Sequence, residues 1–420
     1  MAERKLPLLK RHIAAVVAGN ALEFYDFLTF TFFSIHIGQA FFPSANATTS
    51  LLATLAAFGA GFITRPIGGL VLGMVGDRVG RRPAMFVSFS LIGFAIVGVA
   101  LTPTYAMIGV AAPALVVFFR LVQGFALGGE VGPTTAFLIE APPARQRGFY
   151  GSLQGASQYL SSFAAGLVGT ILSLVLSAQD FGAWGWRIAF LIGAAAVPFG
   201  LMVRRTLPET MHAPAPHAER TSTLVRRHLG DATCGLLMLA HATICTYVIL
   251  FLPTYAQHTL HMQATNAFIA IMVIGATGAA SAALSGIVSD RVGRKPVMMI
   301  PTIVLICITV PAFMVLNYLR TEPVLLGVAF VLTAIFAASG NNTIVTTSEL
   351  MPPRIRSAGM SVIYALAIAI FGGSAQYNVA WLTDFTHDSI APAYYMTAAL
   401  VVGLIVMWIV RETAPAKADR

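Results

Sequence analysis

The stretch GNALEFYDF, from Gly19 to Phe27, places two carboxylates inside an otherwise apolar run. Glu23 and Asp26 are three residues apart and Asn20 lies three residues before Glu23, so in a helix the three side chains share one face. A carboxylate buried on such a face changes its protonation when water or a positive charge comes near. The spacing therefore predicts that Glu23 or Asp26 carries a proton, and the choice between them stays open.

Two arginines in later apolar runs, Arg65 and Arg120, complement these carboxylates. An ionisable side chain at membrane depth costs roughly 2.5 to 3.5 kcal/mol on insertion scales, so each one is a candidate for function. A guanidinium binds a carboxylate through two parallel hydrogen bonds, which suits both arginines to hold an anionic substrate. The structural alternative is a set of static ion pairs with Glu23 and Asp26, although buried pairs stabilise a fold poorly.

Further polar residues lie at similar depth. Gln123 and Glu130 share a helix face and follow Arg120 in the same run. We expect Gln123 to contact the substrate, whereas Glu130 fits a proton path and a gating contact equally well. In the second part of the chain, neutral side chains are expected either to contact substrate hydroxyl and carboxyl groups or to bond one helix to another. The selected candidates are Asn341, Asn342, Tyr364 and Gln376.

Membrane-spanning helices must position these residues. Of the 420 residues 57% are hydrophobic and 10% are charged, and the mean hydropathy is +0.78, outside the range of soluble globular domains. Apolar stretches near the roughly 20 residues that a helix needs to cross the hydrocarbon recur twelve times. We predict an all-α membrane protein with 12 transmembrane helices, the first of which is too long and too acidic for a signal peptide. The predicted spans are residues 13–37, 51–75, 84–105, 107–139, 147–177, 184–204, 232–257, 265–289, 296–318, 322–348, 358–383 and 391–411.

The basic residues are distributed asymmetrically about these spans. All but four of the 26 Lys and Arg residues fall in segments that the twelve spans place on one side of the membrane. The exceptions are Arg65, Arg120, Arg187 and Arg320. By the positive-inside rule that side is cytoplasmic, with both termini inside. The net charge of +9 therefore reflects membrane orientation, and no nucleic-acid partner is expected.

An internal repeat divides the chain. GMVGDRVGRRP, residues 73–83, returns as GIVSDRVGRKP, residues 286–296. A second, approximate match between the segments that begin at Glu140 and Glu349 supports a duplication. We predict two six-helix bundles, residues 1–204 and 232–420, joined by a cytoplasmic connector at residues 205–231. Parallel six-helix repeats are typical of transporters that alternate access to a central site.

The twelve spans and the repeated loop motif resemble the major facilitator superfamily over essentially the whole chain. GNALEFYDF, FITRPIGG, RLVQGFALGGE and WGWRIAFLIG resemble, more narrowly, its metabolite:proton symporter family. AIAIFGGSAQYNVAWLTDFT resembles the citrate and tricarballylate branch of that family. The resemblance implies a monomer in a bacterial inner membrane that works by rocker-switch exchange of its halves. It also implies that the proton gradient drives transport and that no cofactor is needed.

Through this resemblance, the loop motif implies a gating latch at the cytoplasmic helix ends. A carboxylate there can accept hydrogen bonds from the free N–H groups at the start of a neighbouring helix. Asp77 is expected near Ser357 at the start of the eleventh span, and Asp290 at the start of the fifth. Alternatively the charges only anchor loops, which explains the arginines but not an Asp repeated at the same spacing. The expected latch residues are Gly73, Asp77, Arg78, Arg81, Asp290, Arg291 and Arg294.

Several classes of function are disfavoured. No phosphate-binding loop, zinc spacing or dinucleotide fingerprint occurs in a loop long enough to fold around a ligand, so neither an enzyme nor an ATP-driven transporter is expected. The three cysteines fall in or beside apolar runs, which favours neither disulfides nor a metal site. We predict a proton-coupled symporter that imports a small di- or tricarboxylate, with citrate or tricarballylate as the first candidates. The alternatives are a symporter for 2-oxoglutarate, shikimate, proline or betaine, and a drug or metabolite antiporter.

Overall fold

The computed structural model describes residues 10–79, 81–128, 135, 138–139, 142–205, 228–352 and 356–414, and these residues are almost entirely helical. We call the helices up to Arg205 the N-terminal half and those from Leu229 onward the C-terminal half. The longer helices of the N-terminal half are α1 Lys10–Phe32, α2 Ser34–Phe41, α3 Ala47–Ile63, α4 Arg65–Arg78, α5 Arg81–Leu101, α6 Ala111–Leu127, α7 Arg147–Val175 and α8 Trp186–Arg205. Those of the C-terminal half are α9 Leu229–His258, α10 Ala264–Val292, α11 Arg294–Leu319, α12 Glu322–Leu350, α13 Arg356–Ala367, α14 Gly373–Thr386 and α15 Ala391–Ile409.

A helix lies within each predicted span. Among the described residues, nine helical stretches are long and apolar enough to cross a membrane, and Phe86–Leu101 and Ala111–Leu127 are shorter apolar helices. An all-helical membrane protein is therefore what the sequence encodes. The count of twelve crossings remains a prediction.

Three predicted boundaries were wrong for identifiable reasons. The fourth span does not begin at residue 107, because Gly109 adopts a φ of +59° and separates a one-turn helix from α6. The first span does not run unbroken to residue 37, because the chain turns at Phe33 before α2. The second span begins earlier than residue 51, because the Asn46 side chain accepts hydrogen bonds from two N–H groups in the first turn of α3.

The break between α3 and α4 positions Arg65. Pro66 in the first turn of α4 has no N–H group to continue the hydrogen-bond ladder of α3. Thr64 at the break donates to the carbonyl oxygen of Leu121 in α6 at 2.7 Å. The Thr64 hydrogen bond therefore holds α6 against the break between α3 and α4, next to Arg65.

Glycines allow α6 to cross α3 and α4 at backbone contact. A Cβ atom built on Gly124 would lie 1.5 Å from the carbonyl oxygen of Gly61, and one built on Gly68 would lie 1.8 Å from that of Phe125. No side chain fits at either position. This close crossing brings Arg65 and Arg120 together in the interior of the N-terminal half.

The two halves contact each other along α7 and α10. Gly275 of α10 packs against the backbone of Phe163, since a Cβ atom there would lie 2.3 Å from its nitrogen. At one end, which we call the Asp290 end, Gly286 packs against Gly148. At the other, which we call the Phe268 end, the ring of Phe268 lies 4.7 Å from that of Phe33 in the N-terminal half. The halves therefore meet on both sides of the space between them.

Candidate functional site

A cluster of phenylalanine rings surrounds the two buried arginines. The guanidinium carbon of Arg65 lies 4.5 Å from the centre of the Phe27 ring and 4.3 Å from that of Phe62. The guanidinium of Arg120 lies 4.8 Å from the same Phe27 ring and 4.5 Å from Phe30. At these distances ring faces attract a cation. Phe27 is therefore shared between the two arginines.

Both guanidinium groups have unused hydrogen-bond donors. Arg120 Nη1 donates to the Gln123 side-chain oxygen. The Nε and Nη2 atoms of Arg65 and of Arg120 are buried and have no hydrogen-bond partner among the described residues. A buried donor without an acceptor is costly, about 1 to 3 kcal/mol and more for a charged group. The arrangement therefore favours an incoming ligand that is rich in acceptor oxygens.

The two carboxylates of α1 lie beside these arginines. Asp26 and Glu23 are buried, with 1% and 3% of their surface exposed. Asp26 interacts electrostatically with Arg120, and Glu23 with Arg65. Neither carboxylate oxygen of Asp26 has a hydrogen-bond partner among the described residues. The four ionisable groups form two neighbouring pairs of opposite charge.

A cavity of about 90 Å³ lies between the N-terminal and C-terminal halves. Of the described residues that line it, none is charged, and several are polar. The polar side chains include Gln158, Ser162, Thr243, Tyr247, Asn341 and Tyr364. Of the residues predicted to contact the substrate, the structure brings Asn341 and Tyr364 to this cavity.

Two tyrosines connect the cavity to the arginines. Tyr247 and Tyr364 line the cavity and both interact electrostatically with Arg65. The Tyr247 ring also packs on Phe62, with 5.8 Å between ring centres. Arg65 therefore lies near both tyrosines of the cavity wall, and Tyr247 also interacts electrostatically with Arg120.

Three predicted substrate contacts bond helices to each other. Asn20 donates to the Ser157 hydroxyl at 2.7 Å, which joins α1 to α7. Asn342 donates to the Ser285 hydroxyl at 3.2 Å, which joins α12 to α10. Gln376 accepts from the Thr31 hydroxyl across the two halves. For these side chains the geometry corresponds to the helix-bonding alternative.

Arg187 lies apart from the phenylalanine cluster. Its guanidinium donates to the carbonyl oxygens of Ala100 and Thr102, where α5 ends, and lies 4.2 Å from the centre of the Trp186 ring. A cation at a helix C-terminus satisfies carbonyls that have no partner in the helix. Arg187 therefore fixes the end of α5.

At the Asp290 end, one carboxylate bridges the two halves. Asp290 accepts hydrogen bonds from the backbone N–H groups of Gly148 and Phe149, at 2.7 and 2.9 Å, in the first turn of α7. Arg294 donates to Asp290 at 2.9 Å and to both oxygens of Glu349 at 3.1 and 3.0 Å. The contact joins α10 to the start of the helix that the loop motif indicated.

The remaining predicted latch residues are exposed or have side chains outside the described residues. Arg291 is exposed, and a Cβ atom on Gly73 would have no neighbour within 4 Å. The side chains of Asp77, Arg78 and Arg81, and the whole of Glu130, lie outside the described residues.

The segment after α15 extends the Asp290 network. Glu412 accepts hydrogen bonds from the N–H groups of Arg294 and Lys295 at 2.8 and 3.0 Å, at the start of α11. The Thr413 hydroxyl donates to Glu349 at 2.7 Å. Burial alone would raise the pKa of the Glu412 carboxyl, but hydrogen bonds from backbone N–H groups outweigh it, so the pKa is lowered. The chain beyond the last helix is thus tied to the contact between the halves.

The sequence-based prediction missed Gln158, Tyr159 and Glu412. Gln158 and Tyr159 line the cavity, and a signal for the first was available. Gly151, Gly155, Gln158 and Ser162 recur at helical spacing on one face of α7, which predicts a small and polar face turned to a cleft. Glu412 gave no such signal, because its partners are backbone atoms distant in sequence.

Comparison with known proteins agrees with this architecture. The family model of the Major Facilitator Superfamily matches residues 16–376. The chain is 34% identical over 401 residues to a citrate-proton symporter of Salmonella typhi, covering 93% of this chain and 92% of the relative. It is 30% identical over 424 residues to a proline/betaine transporter of Salmonella typhimurium, covering 97% and 84%. The crystal structure of a D-xylose-proton symporter superposes with a TM-score of 0.80 at 18% identity, covering 97% of this chain and 99% of that one, a likeness of fold.

The relatives that match almost the whole chain are transporters and not enzymes, and a helical membrane protein with a polar site between two halves agrees with that class. The chain belongs to the major facilitator superfamily. The superfamily that the motifs indicated is therefore confirmed, as is the resemblance to citrate-proton symporters.

Proposed function

We propose that this protein is a proton-coupled symporter that imports a small di- or tricarboxylate, with citrate or tricarballylate as first candidates. The observation that carries the proposal is the pair of buried guanidinium groups, Arg65 and Arg120, whose Nε and Nη2 atoms have no described partner. A substrate with two or more carboxylates supplies charged acceptors to both arginines, whereas a neutral solute has no negative charge to pair with the guanidinium groups. The citrate-proton symporters at 34% identity support the same substrate class.

The coupled proton is assigned to Asp26. Its carboxylate lies beside Arg120 and accepts no hydrogen bond from a described residue, so little holds its charge except that arginine. When a substrate carboxylate takes up the Arg120 donors, the attraction that keeps Asp26 ionised is weakened and the carboxyl binds a proton. Substrate and proton then enter the site together, which is symport.

The Asp290 network supplies the gating part of the proposal. Hydrogen bonds from Gly148 and Phe149 to Asp290 hold the halves together at one end, and a rocker-switch movement must break them. We place that end in the cytoplasm of a bacterium, with the chain in the inner membrane as a monomer that needs no cofactor beyond the proton gradient. Asp77, Arg78 and Arg81 belong to the corresponding proposal for the first copy of the motif.

A second candidate function is symport of a zwitterion. The proline/betaine relatives at 30% identity favour it, because one carboxylate of such a solute would still bind one arginine. It leaves the second guanidinium without a substrate acceptor, and for that reason we rank it below a polycarboxylate.

The test is uptake of labelled citrate into proteoliposomes under an imposed inward proton gradient. Tricarballylate, 2-oxoglutarate, shikimate, proline and betaine serve as competitors. We expect gradient-dependent uptake that tricarballylate inhibits and that Arg120→Gln lowers about tenfold or more, because a charge-assisted hydrogen bond is worth about 1.5 to 3 kcal/mol. Arg320→Gln, at the exposed end of α11, is the matched control and should transport normally. Proton-driven uptake of a zwitterion in place of citrate would refute the polycarboxylate proposal.

A further inference from the structure

Two amide side chains border the cavity from opposite halves, Gln158 on α7 and Asn341 on α12. They reach the same space, because Gly155 lies one turn before Gln158 on the same helix face and touches Asn341. A Cβ atom built on Gly155 would lie 1.5 Å from Asn341 Oδ1. The absence of a side chain at residue 155 is therefore what admits the asparagine to the cavity.

The orientation of the Asn341 amide is fixed. Its Nδ2 atom donates to the carbonyl oxygen of Ala337 at 2.8 Å, one turn earlier in α12. Only the nitrogen of an amide side chain can donate, so this bond decides which atom faces the helix backbone and which faces away. Asn341 consequently presents Oδ1, an acceptor, toward α7.

The Gln158 amide has the complementary character. Its Nε2 atom is buried and makes no hydrogen bond to any of the residues that the structure describes. Tyr364 approaches the same side chain from the C-terminal half, close enough for the Gln158 amide to act on its hydroxyl but without the geometry of a hydrogen bond, and an amide nitrogen carries two N–H groups, so a donor stays unused. The cavity thus contains an unused donor on one wall and an acceptor on the other.

We propose that Gln158 and Asn341 together recognise an alcohol hydroxyl on the transported carboxylate. The hydroxyl accepts a hydrogen bond from Gln158 Nε2 and donates one to Asn341 Oδ1, and a hydroxyl, unlike an ionised carboxylate, does both. A carboxylate oxygen only accepts and is repelled by Oδ1, while a methylene group satisfies neither amide. This inference rests on the proposed function and makes Gln158 a residue that selects hydroxycarboxylates over their deoxy analogues.

The experiment uses the full-length protein in proteoliposomes and two substrate pairs that differ by one hydroxyl, citrate with tricarballylate and malate with succinate. We expect the wild type to transport the hydroxylated member of a pair more efficiently. Gln158→Met keeps the volume and removes the donor, so it should lower kcat/KM for the hydroxylated member about tenfold and leave the deoxy member unchanged. Gln179→Met, exposed and far from the cavity, is the matched control.

Each outcome decides the proposal. Uptake of the deoxy member by Gln158→Met shows that the variant folds, so a loss confined to the hydroxylated member supports hydroxyl recognition. A wild type that transports citrate and tricarballylate equally well overturns the inference and leaves the proposed function standing. If Gln158→Met transports the hydroxylated and deoxy acids in the same ratio as the wild type, the inference is likewise overturned and the proposed function stands. A wild type that transports none of the four acids refutes the proposed function itself, and the inference with it.

Discussion

Arg65 and Arg120 show how two buried charges can be held with part of their hydrogen-bonding capacity unused among the described residues. Phenylalanine rings surround both guanidinium groups, while several N–H donors stay unused among the described residues. A ring face attracts a cation less strongly than a carboxylate in direct contact does. A substrate carboxylate that reaches the guanidinium groups therefore contributes more binding free energy than is lost from the ring contacts that it replaces.

Asp26→Asn tests the assignment of the coupled proton. Asparagine keeps the shape of the side chain and cannot titrate, so we expect accumulation of substrate against its gradient to be lost. Exchange of substrate between the two sides, which needs no net proton movement, should persist within about twofold of the wild type. The measurement compares proton-driven uptake with counterflow in proteoliposomes.

Asp180→Asn, an exposed change in the N-terminal half, is the control for that comparison. Proton-driven accumulation at the wild-type level in Asp26→Asn would contradict the assignment and leave Glu23 and Glu130 as candidates. The structure places Glu23 beside Arg65, so the same two assays on Glu23→Gln and Glu130→Gln would then identify the carrier.

At this scale the sequence predicted residue types and burial but not partners. Glu23, Asp26, Arg65 and Arg120 were recognisable because charge is rare inside apolar runs. Their surroundings were not, since the rings around Arg120 come from α1 and α3, and only the packing of those helices brings them together. Asn20 illustrates the same limit, because its helix face was predictable and its bond to Ser157 on α7 was not.

Among the elements, the crossing of α6 with α3 and α4 has the strictest requirements. Backbone carbonyls occupy the positions where Cβ atoms of Gly124 and Gly68 would be, so these helices touch without intervening side chains. The position of Arg120 relative to Arg65 depends on how closely α6 approaches α3 and α4. Packing between helices and chemistry at the site are therefore coupled through glycine.

Gly124→Ala should destabilise the protein, because its Cβ atom would lie 1.5 Å from the Gly61 carbonyl oxygen. Overpacking of this kind costs typically about 1 to 3 kcal/mol, and here the obstacle is backbone that cannot rotate away. Thermal unfolding in detergent measures the change as a lower Tm. Gly73→Ala on α4 is the matched control, since nothing lies within 4 Å of a Cβ atom there and alanine favours the helix. Equal Tm values for the two variants would contradict the role of the crossing.

Helix existence was predictable from apolar length, and helix ends were not. The break before Arg65 follows from Pro66, which the sequence shows, yet the prediction joined α3 and α4 into one span because hydropathy does not register a missing N–H group. The start of α6 was misplaced for a similar reason, because only the backbone at Gly109 shows the positive φ.

For the whole molecule, the Asp290 network links the two halves to the segment after the last helix. Asp290 reaches α7, Arg294 joins Asp290 to Glu349, and Glu412 binds the start of α11. Movement of one half against the other at this end would therefore also change the contacts of the segment after α15. The loop motif indicated the first link, and the fold supplied the others.

The Glu412 contact should depend on pH in a defined direction. A carboxyl whose pKa is lower in the folded state contributes stability that is present above its ordinary pKa of about 4.3 and is lost as the pH falls through the lowered value. We expect the amides of Arg294 and Lys295 to keep their protection from hydrogen exchange at about pH 4, where a carboxyl with the ordinary pKa would be mostly protonated. In Glu412→Gln they should exchange about fivefold to tenfold faster, as for loss of a helix cap worth about 1 kcal/mol.

Asp384→Asn, exposed and at the other end of the molecule, is the control for hydrogen exchange. Protection already lost at about pH 4 in the wild type would show that the pKa of Glu412 is not lowered. Unchanged exchange in Glu412→Gln would show that the carboxylate does not cap α11.

The contact between Asp290 and α7 also predicts an uneven tolerance to mutation. The donors are main-chain N–H groups, so exchanging the side chain of Phe149 for any residue but proline leaves its donor atom in place. On the other side, replacing Asp290 by an apolar residue removes both acceptors at once. The contact between the halves therefore tolerates side-chain changes at Phe149 but not at Asp290, nor at Gly148, where a Cβ atom would lie 2.3 Å from Arg294 Nη1 and 2.7 Å from Asp290 Oδ1.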